Sequence, residues 1–440
     1  MEYFKSVRQN SVTEKLEAAL TLIGDAGDEG RRIFTRLYAE PARASAQAAD
    51  QRAQAGASLG PLDGRIVSIK DLFDVAGEAT TAGSALLRDA APAQRDAVVV
   101  SRLRAAGAVI IGKTNLTEFA FSGVGINPHY GTPGNALDSS RIPGGSSSGA
   151  GVAVARGLCE IAIGSDTGGS VRIPSALNGL VGFKPTQARV PRDGAFPLSY
   201  TLDTLGPLCR SVADAAATDS VLAGSVDEAL RQCEIRGLRL GVPRGLLFSQ
   251  ADDEVLAAVE QALAQLASAG AQLSDESLDD LLGQPSRLQE RGTLVAAEAA
   301  WIHREWVDSQ PGAYDPIVLG RIRRGQTLDA ASYVGIQQAR AALLPALDAR
   351  MVGLDALVLP TVPLLAPLIS TVQDEDAFLR TNALLLRNPS VFNFFDLPAL
   401  SLPLARGSGL AVGLMLVGRR GRDRELLALG AAVETLLKKR

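Results

Sequence analysis

From residue 60 onward, short runs of apolar residues alternate with longer stretches in which apolar residues repeat at helical spacing. GRIVSIKDLFDV (64–75) predicts a strand, VVVSRLRAAG (98–107) a helix, and AVIIG (108–112) a second strand. Further strands are predicted at 238–242, 355–363, 399–405 and 410–418, and further helices at 254–270, 288–307, 330–350 and 424–439. Strands that alternate with helices in this way indicate an α/β fold.

The N-terminal region has a different pattern of apolar residues. Residues 12–57 show helical spacing in an alanine-rich background that glycines interrupt, which predicts at least two helices with a packing role. No internal repeat or low-complexity linker divides the rest of the chain. We therefore predict a helical N-terminal extension, residues 1–59, packed on a single α/β domain formed by residues 60–440.

The composition is that of a globular protein, with 46% hydrophobic and 21% charged residues among 440. Forty-four basic and forty-eight acidic residues give a net charge of −4, which argues against direct binding of nucleic acid or of an anionic membrane. A small neutral or polar ligand fits this charge better. The N-terminus lacks the apolar core of a signal peptide, and no window is long enough to span a membrane, so we expect a cytoplasmic protein.

Cysteines and histidines are scarce. The three cysteines, Cys159, Cys209 and Cys233, lie in no C-x-x-C spacing, and they resemble reduced core residues. The two histidines, His129 and His303, are too few for a multi-histidine metal cluster. The sequence therefore predicts neither a metal ion nor a cofactor.

Two well-known motifs occur in contexts that do not suit them. GAVIIGKT (107–114) fits the P-loop pattern, but the four residues between its glycines form the predicted strand rather than a phosphate-binding loop. GSSSG (145–149) fits the nucleophile elbow of a serine esterase, which would make Ser147 the nucleophile, yet a polar segment and not a strand precedes it. The one histidine that follows, His303, lies in a helical pattern where a packing role is more frequent.

Three other separated segments form a stronger constellation. Lys70 closes the predicted strand in GRIVSIKD, Ser146 lies in PGGSSSGAG, and Ser170 follows two glycines in IAIGSDTGGS. These segments resemble the amidase signature family. In that family a lysine closes a [VI]-x-[IV]-K-D segment, a serine lies in GGSSGG, and the nucleophile follows 24 residues later in D-x-GGS-[IV]-R-x-P.

The interval from Ser146 to Ser170 is 24 residues here as well, and Pro174 completes the second motif. The resemblance extends over residues 60–433 through the blocks GKTNLTEFA, GLVGFKPT, TLDTLGPL, DALVLPTVP and DLPALSLPL. One departure is Ser148, where the family more often has glycine, and we expect this small residue to be tolerated.

The resemblance implies the amidase signature fold, a central mixed β-sheet flanked by helices on both faces, and a Ser-cisSer-Lys triad. It implies that Ser170 attacks the substrate carbonyl, that Ser146, preceded by a cis peptide bond, relays the proton, and that Lys70 is the general base. It also implies an oxyanion hole and a set of supporting residues: backbone amides at Thr167, Gly168, Gly169 and Ser170 for the hole, and Ser147, Asp166 and Arg172 for support.

A lysine needs a lowered pKa to act as a base, because its usual pKa is about 10.4. Burial behind the apolar residues 66–69 would lower the pKa of Lys70, since desolvation penalises the charged form. Asp71 follows directly, but successive side chains of a strand point to opposite faces, so that this carboxylate need not pair with Lys70.

These expectations predict an amidohydrolase that cleaves the C–N bond of a small amide or amide-like substrate through an acyl-enzyme. Substrate contacts are expected from 119–127, 196–200 and 301–324, the last as a lid, and no charge cluster in them indicates an acidic or basic acyl group. The family also contains the glutaminase subunit of tRNA-dependent amidotransferases, which is the alternative function and would require an RNA-binding partner. An inactive binding protein is a third reading, and a homodimer is left open.

Overall fold

The computed structural model describes residues 11–225, 229–404 and 409–438, and eleven strands within them form one sheet. In chain order the strands are β1 (Phe34–Leu37), β2 (Ile66–Lys70), β3 (Val109–Thr114), β4 (Ile161–Asp166), β5 (Val181–Lys184), β6 (Thr204–Cys209), β7 (Arg239–Val242), β8 (Gln272–Asp275), β9 (Ala356–Pro360), β10 (Ala399–Leu404) and β11 (Val412–Val417). Their spatial order is β1-β3-β2-β4-β6-β5-β10-β11-β9-β7-β8. β2 pairs in parallel with β3 and β4, β7 pairs in parallel with β8 and β9, and the other pairs are antiparallel.

Fifteen α-helices lie in the described ranges. They are α1 (Val12–Asp25), α2 (Asp28–Ile33), α3 (Ala39–Gln54), α4 (Val98–Ala105), α5 (Ser148–Ala155), α6 (Arg172–Leu177), α7 (Val212–Ala223), α8 (Asp253–Ser268), α9 (Asp279–Leu282), α10 (Gln284–Leu288), α11 (Leu294–Ile302), α12 (Pro316–Gly325), α13 (Ala330–Arg350), α14 (Glu375–Phe394) and α15 (Asp423–Lys438). None of these helices is long and apolar enough to cross a membrane.

Both faces of the sheet are covered. Side chains alternate along β9, so that Val358 packs in one core with α7, α8 and α15, whereas Leu359 packs on the opposite face with α13 and α14. At the other end of the sheet Ile111 lies in a third core, which contains α1, α3 and α5. This arrangement confirms the predicted mixed sheet with helices on both faces.

The apolar pattern predicted six of the eleven strands and missed the others, among them β6 and β1. β2, β3, β7, β9, β10 and β11 lie where apolar runs predict strands. β3 includes three of the four residues between the glycines of the P-loop pattern, 109–111, so this segment is a strand and not a phosphate-binding loop. β6 has the sequence TLGPLC, in which Gly206 and Pro207 weaken the strand pattern. β1 lies in the region predicted as helical only, where it pairs with the edge of β3.

Helix caps fix the elements that border the site described below. Asp315 precedes α12 and accepts a hydrogen bond from the Ile317 amide at 2.8 Å, with Pro316 in the first turn of the helix. Asp374 caps α14 in the same way through the Ala377 amide at 3.0 Å. These caps satisfy amides that have no partner within the helix, and they set where each helix begins.

Candidate active site

Lys70 ends strand β2, the third strand from one edge of the sheet. Its side chain is 0% exposed, and its Nζ donates hydrogen bonds to Ser146 Oγ at 2.7 Å and to Ser165 Oγ at 2.9 Å. Burial lowers the pKa of Lys70 to about 7, against the opposing influence of the Asp203 and Asp166 carboxylates. A large fraction of this lysine is therefore neutral at physiological pH.

The adjacent Asp71 makes its contacts elsewhere. Its Oδ1 forms an ion pair with Lys113 Nζ at 3.3 Å, and its Oδ2 accepts a hydrogen bond from the Thr81 hydroxyl at 2.6 Å. Side chains alternate along the backbone after β2, which separates this carboxylate from Lys70. Among the described residues Lys70 thus has two hydroxyl partners and no directly bonded carboxylate.

The serine-rich segment before α5 connects Lys70 to the second serine motif. The Gly145–Ser146 peptide bond is cis, as the family resemblance implied. The Ser147 amide donates to the Ser170 carbonyl at 3.3 Å, which ties this segment to the loop that follows β4. Ser147 is buried, and its Oγ contacts the Ser165 carbonyl at 3.5 Å, so it faces the sheet and not a cavity.

A buried ion pair holds the loop that carries Ser170. Arg172 donates to both carboxylate oxygens of Asp166, at 2.9 and 3.0 Å, and both side chains are 0% exposed. Asn393 on α14 bridges the pair: it donates to Asp166 Oδ1 at 2.9 Å and accepts from Arg172 at 2.6 Å. Although burial opposes ionisation, the Arg172 guanidinium holds the pKa of Asp166 well below its usual range.

The amides of the glycine loop have different partners. The Gly169 amide donates to Asp166 Oδ1 at 2.8 Å, so a substrate oxygen would have to share it. Within the described residues the amides of Thr167, Gly168 and Ser170 donate to no protein acceptor. Gly169 has φ +129°, and a Cβ at this position would lie 2.5 Å from Pro389 Cγ, so the backbone requires glycine here.

Asp203 orients the start of this loop from the segment before β6. The Thr167 hydroxyl donates to its Oδ1 at 2.5 Å, and the amides of Leu198 and Ser199 donate to its Oδ2 at 2.9 and 3.1 Å. Burial raises the pKa of Asp203. The carboxylate thereby links the segment around 196–203 to the glycine loop.

Ser170 opens into a cavity of about 350 Å³. Thr167, Gly168, Leu198 and Arg321 are among its lining residues, and α12 and α14 contribute to its walls. Three segments were expected to contact a substrate: 119–127, 196–200 and 301–324. Each of them supplies at least one residue that lines the cavity. The residues at 285–295 and 386–394 also line the cavity, and no motif pointed to them.

The structure does not bring Ser147 and His303 together as the nucleophile and base of a serine esterase. Ser147 precedes α5 without a strand before it, and His303 is only 1% exposed. The His303 ring packs edge-on against Phe119, with centroids 4.3 Å apart, and its Nδ1 lies 3.0 Å from the Tyr314 hydroxyl. Burial lowers the pKa of His303 to about 4, so this histidine is a neutral packing residue. Across the described ranges no group of three or more His, Cys, Asp or Glu side chains is arranged to hold a metal ion.

A sequence model of the Amidase family matches residues 26–427 of this chain. The chain belongs to the amidase family. This amidase is therefore a hydrolase that acts on carbon–nitrogen bonds other than peptide bonds. It matches a crystal structure of an amidase with a TM-score of 0.87 and 36% identity, over 97% of this chain and 96% of the other.

Two relatives align with nearly the whole length of this amidase. A 2-amino-5-chloromuconic acid deaminase from Comamonas testosteroni is 34% identical over 445 residues, which is 95% of this chain and 93% of the relative. One subunit of the Glutamyl-tRNA(Gln) amidotransferase from Anaeromyxobacter sp. (strain K) is 37% identical over 465 residues, which is 96% of this chain and 92% of the relative. The family thus includes members with different substrates, and some belong to larger assemblies.

Sequence reasoning did not identify four residues of this amidase that the structure places at or beside the site. Ser165 bonds to Lys70, Asp203 and Asn393 hold the glycine loop, and Arg321 lines the cavity. Ser165 directly precedes Asp166 in the second motif and could have been recognised there. Asp203 lies in the block TLDTLGPL, which carried the resemblance without pointing to this residue. Arg321 and Asn393 lie 151 and 223 positions beyond Ser170, in segments without a motif of their own.

Proposed function

We propose that this amidase hydrolyses the C–N bond of a small amide through an acyl-enzyme on Ser170, with Ser146 as proton relay and Lys70 as general base. The observation that carries the proposal is the buried Lys70, whose pKa of about 7 and 2.7 Å contact with Ser146 Oγ suit a neutral base. Because an ordinary lysine is almost fully charged at neutral pH, this environment is what makes the proton transfer feasible.

In the first step neutral Lys70 takes the proton of Ser146, Ser146 takes the proton of Ser170, and Ser170 Oγ attacks the amide carbonyl. The negative charge on the carbonyl oxygen is stabilised by the amides of Thr167, Gly168 and Ser170, and the Gly169 amide is shared with Asp166. The proton on Lys70 then returns through Ser146 to the leaving nitrogen as the C–N bond breaks. The acyl-enzyme remains.

In the second step water attacks the acyl-enzyme and gives up its proton along the same relay, which releases the acid and regenerates Ser170. The roles of Ser147, Asp166 and Arg172 are supporting ones, since each contacts the loop that carries Ser170. The proposal requires no metal ion and no cofactor, and cytoplasmic location stays a prediction.

Ammonia release from a panel of primary amides tests this function. Wild-type protein is expected to turn over at least one amide, and Ser170→Ala is expected to abolish turnover while leaving the fold intact. Ser286→Ala removes another hydroxyl that lines the same cavity and is the matched control. If wild-type protein is active and Ser170→Ala keeps substantial activity on the same amide, the assignment of Ser170 as the nucleophile is contradicted.

The second candidate function is that of a glutaminase subunit in a tRNA-dependent amidotransferase, and the 37% identical relative from such an enzyme favours keeping it. In that role the chain would release ammonia from glutamine within a complex and would be poorly active alone. Purification from the native source separates the two candidates: migration of the chain alone with full amidase activity supports the first, and co-migration with an RNA-binding partner supports the second.

A further inference from the structure

Among the described residues that line the Ser170 cavity, one is cationic: Arg321 on α12. Its guanidinium carbon lies 4.4 Å from the centre of the Phe121 ring, a stacking contact that orients the fork of nitrogen donors. The backbone around Arg321 is anchored too, because the Asp315 amide that precedes α12 donates to Glu118 Oε2 at 2.7 Å. Arg321 is therefore a positioned group and part of the wall of the cavity.

Within the described part of the chain Arg321 forms no ion pair and no hydrogen bond. Its neighbour Arg323, by contrast, forms an ion pair in which Nη2 lies 3.9 Å from Asp308 Oδ1. Burial, followed by the like charge of Arg324, lowers the pKa of Arg321 to about 10, which still leaves it cationic at neutral pH. A partly buried cation without a counter-ion is costly, and binding of an anion in the cavity would relieve that cost.

The rest of the cavity lining, as far as the structure describes it, supplies no negative charge. No Asp or Glu occurs among its described lining residues, which include apolar side chains such as Leu386 and Phe394 and the hydroxyls of Ser286 and Ser390. A substrate ammonium group would enter this cavity without an acidic partner and beside a like charge. An anionic group would meet a guanidinium whose planar fork matches a carboxylate.

We propose that the substrate is an amide that also carries a carboxylate and lacks an ammonium group, with its amide at Ser170 and its carboxylate at Arg321. The monoamide of a short dicarboxylic acid is the simplest such molecule, and the cavity volume of about 350 Å³ lies near the lower end for ligand pockets. This inference rests on the proposed function for the position of the amide, and it rests on Arg321 for the carboxylate.

Kinetics on matched substrates test the inference. Succinamate and glutaramate carry the carboxylate, and succinamide and glutaramide replace it by an uncharged amide of similar shape. Wild-type kcat/KM is expected to be at least about tenfold higher for the better anion than for its diamide, since a charge-assisted hydrogen bond is worth this much or more. Equal values for anion and diamide would overturn the inference.

Arg321→Gln is expected to lower kcat/KM for the anion by roughly tenfold to hundredfold, mainly through KM, and to leave the diamide within about threefold. Arg321→Lys keeps the charge without the fork and should restore part of the loss. Arg323→Gln removes an exposed charge from the same helix outside the cavity lining and is the control. Equal losses for anion and diamide in Arg321→Gln would assign Arg321 a packing role on Phe121 and overturn the inference.

L-Glutamine tests the exclusion of an ammonium group, because it is glutaramate with an added α-ammonium. Glutaramate is expected to be the better substrate by about tenfold or more, since burial of an unpaired charge is unfavourable. A preference for L-glutamine would contradict this part of the inference and would favour the glutaminase function.

Calorimetric binding to Ser170→Ala separates this inference from the proposed function. Glutaramate is expected to bind Ser170→Ala at least about tenfold more tightly than the double variant Ser170→Ala/Arg321→Gln, whether or not the wild type shows turnover. Anion binding that depends on Arg321 without any amide turnover by the wild type would contradict the proposed function alone. Turnover without Arg321-dependent binding would contradict the present inference alone.

Discussion

The protonation of Lys70 should set the pH dependence of this enzyme. At pH 7 a lysine with its usual pKa of about 10.4 is neutral in only about one molecule in 2,500. With the pKa of about 7 that burial gives Lys70, about half of the molecules carry the neutral base. The environment therefore raises the population of active base by roughly a thousandfold at neutral pH.

Because the protonated form is inactive, kcat/KM should fall about tenfold per pH unit below 7 and reach a plateau above about pH 8. At pH 5 it should be about 100-fold below the plateau. Ammonia release from butyramide at constant ionic strength between pH 5 and 9 measures this profile, because the substrate does not titrate in that range. Circular dichroism over the same range checks that the protein stays folded.

Two results would refute the reasoning. A flat profile from pH 5 to 9 in folded protein would mean that no group with a pKa near 7 limits the reaction. A continued tenfold rise per unit through pH 9 would mean that Lys70 keeps the pKa of an exposed lysine. Lys70→Ala supplies the baseline, with an expected loss of several orders of magnitude in acylation at all pH values.

Three further predictions follow from the buried charges. The folded pKa of Lys70 lies below that of the unfolded chain, so the unfolded chain binds more protons between about pH 7 and 10.4, and wild-type stability rises across that window. In urea unfolding, the stability advantage of Lys70→Met should therefore shrink there by up to about 5 kcal/mol. An unchanged difference would contradict the lowered pKa. Arg172→Met leaves Asp166 buried without its cation and should lower the unfolding free energy by about 3–5 kcal/mol, whereas a loss below about 1 kcal/mol would show that the ion pair is not needed. His303→Phe should keep the inflection near pH 7 and change kcat/KM by less than about tenfold, because His303 is neutral and packed against Phe119; a loss comparable to that of Lys70→Ala would revive a histidine-based mechanism.

The parts of the site that sequence could predict are those that lie within short motifs. Lys70 ends an apolar run and Ser170 follows a double glycine, and each feature is local, so the strand ends and the turn could be predicted from the residues themselves. The burial of Lys70 followed from the apolar residues before it. The partners of Lys70 did not follow, because Ser165 is brought to it by the parallel pairing of β2 and β4.

Long-range packing determines the rest. Asn393 reaches Asp166 from 227 residues away along the chain, and no local pattern encodes that contact. Arg321 is one of three arginines in the segment RIRR, and only the packing of α12 decides which of them lines the cavity. For this reason a charged acyl group could not be predicted from the residues alone, whereas the structure provides a specific cation for one.

The most direct test of the central claim is covalent labelling of the active serine. Purified protein is incubated with a fluorophosphonate, and the adduct is mapped by mass spectrometry of its peptides. The account predicts a single adduct on Ser170 that Lys70→Ala largely abolishes. An adduct on Ser147, or no adduct on the folded wild-type protein, would contradict it.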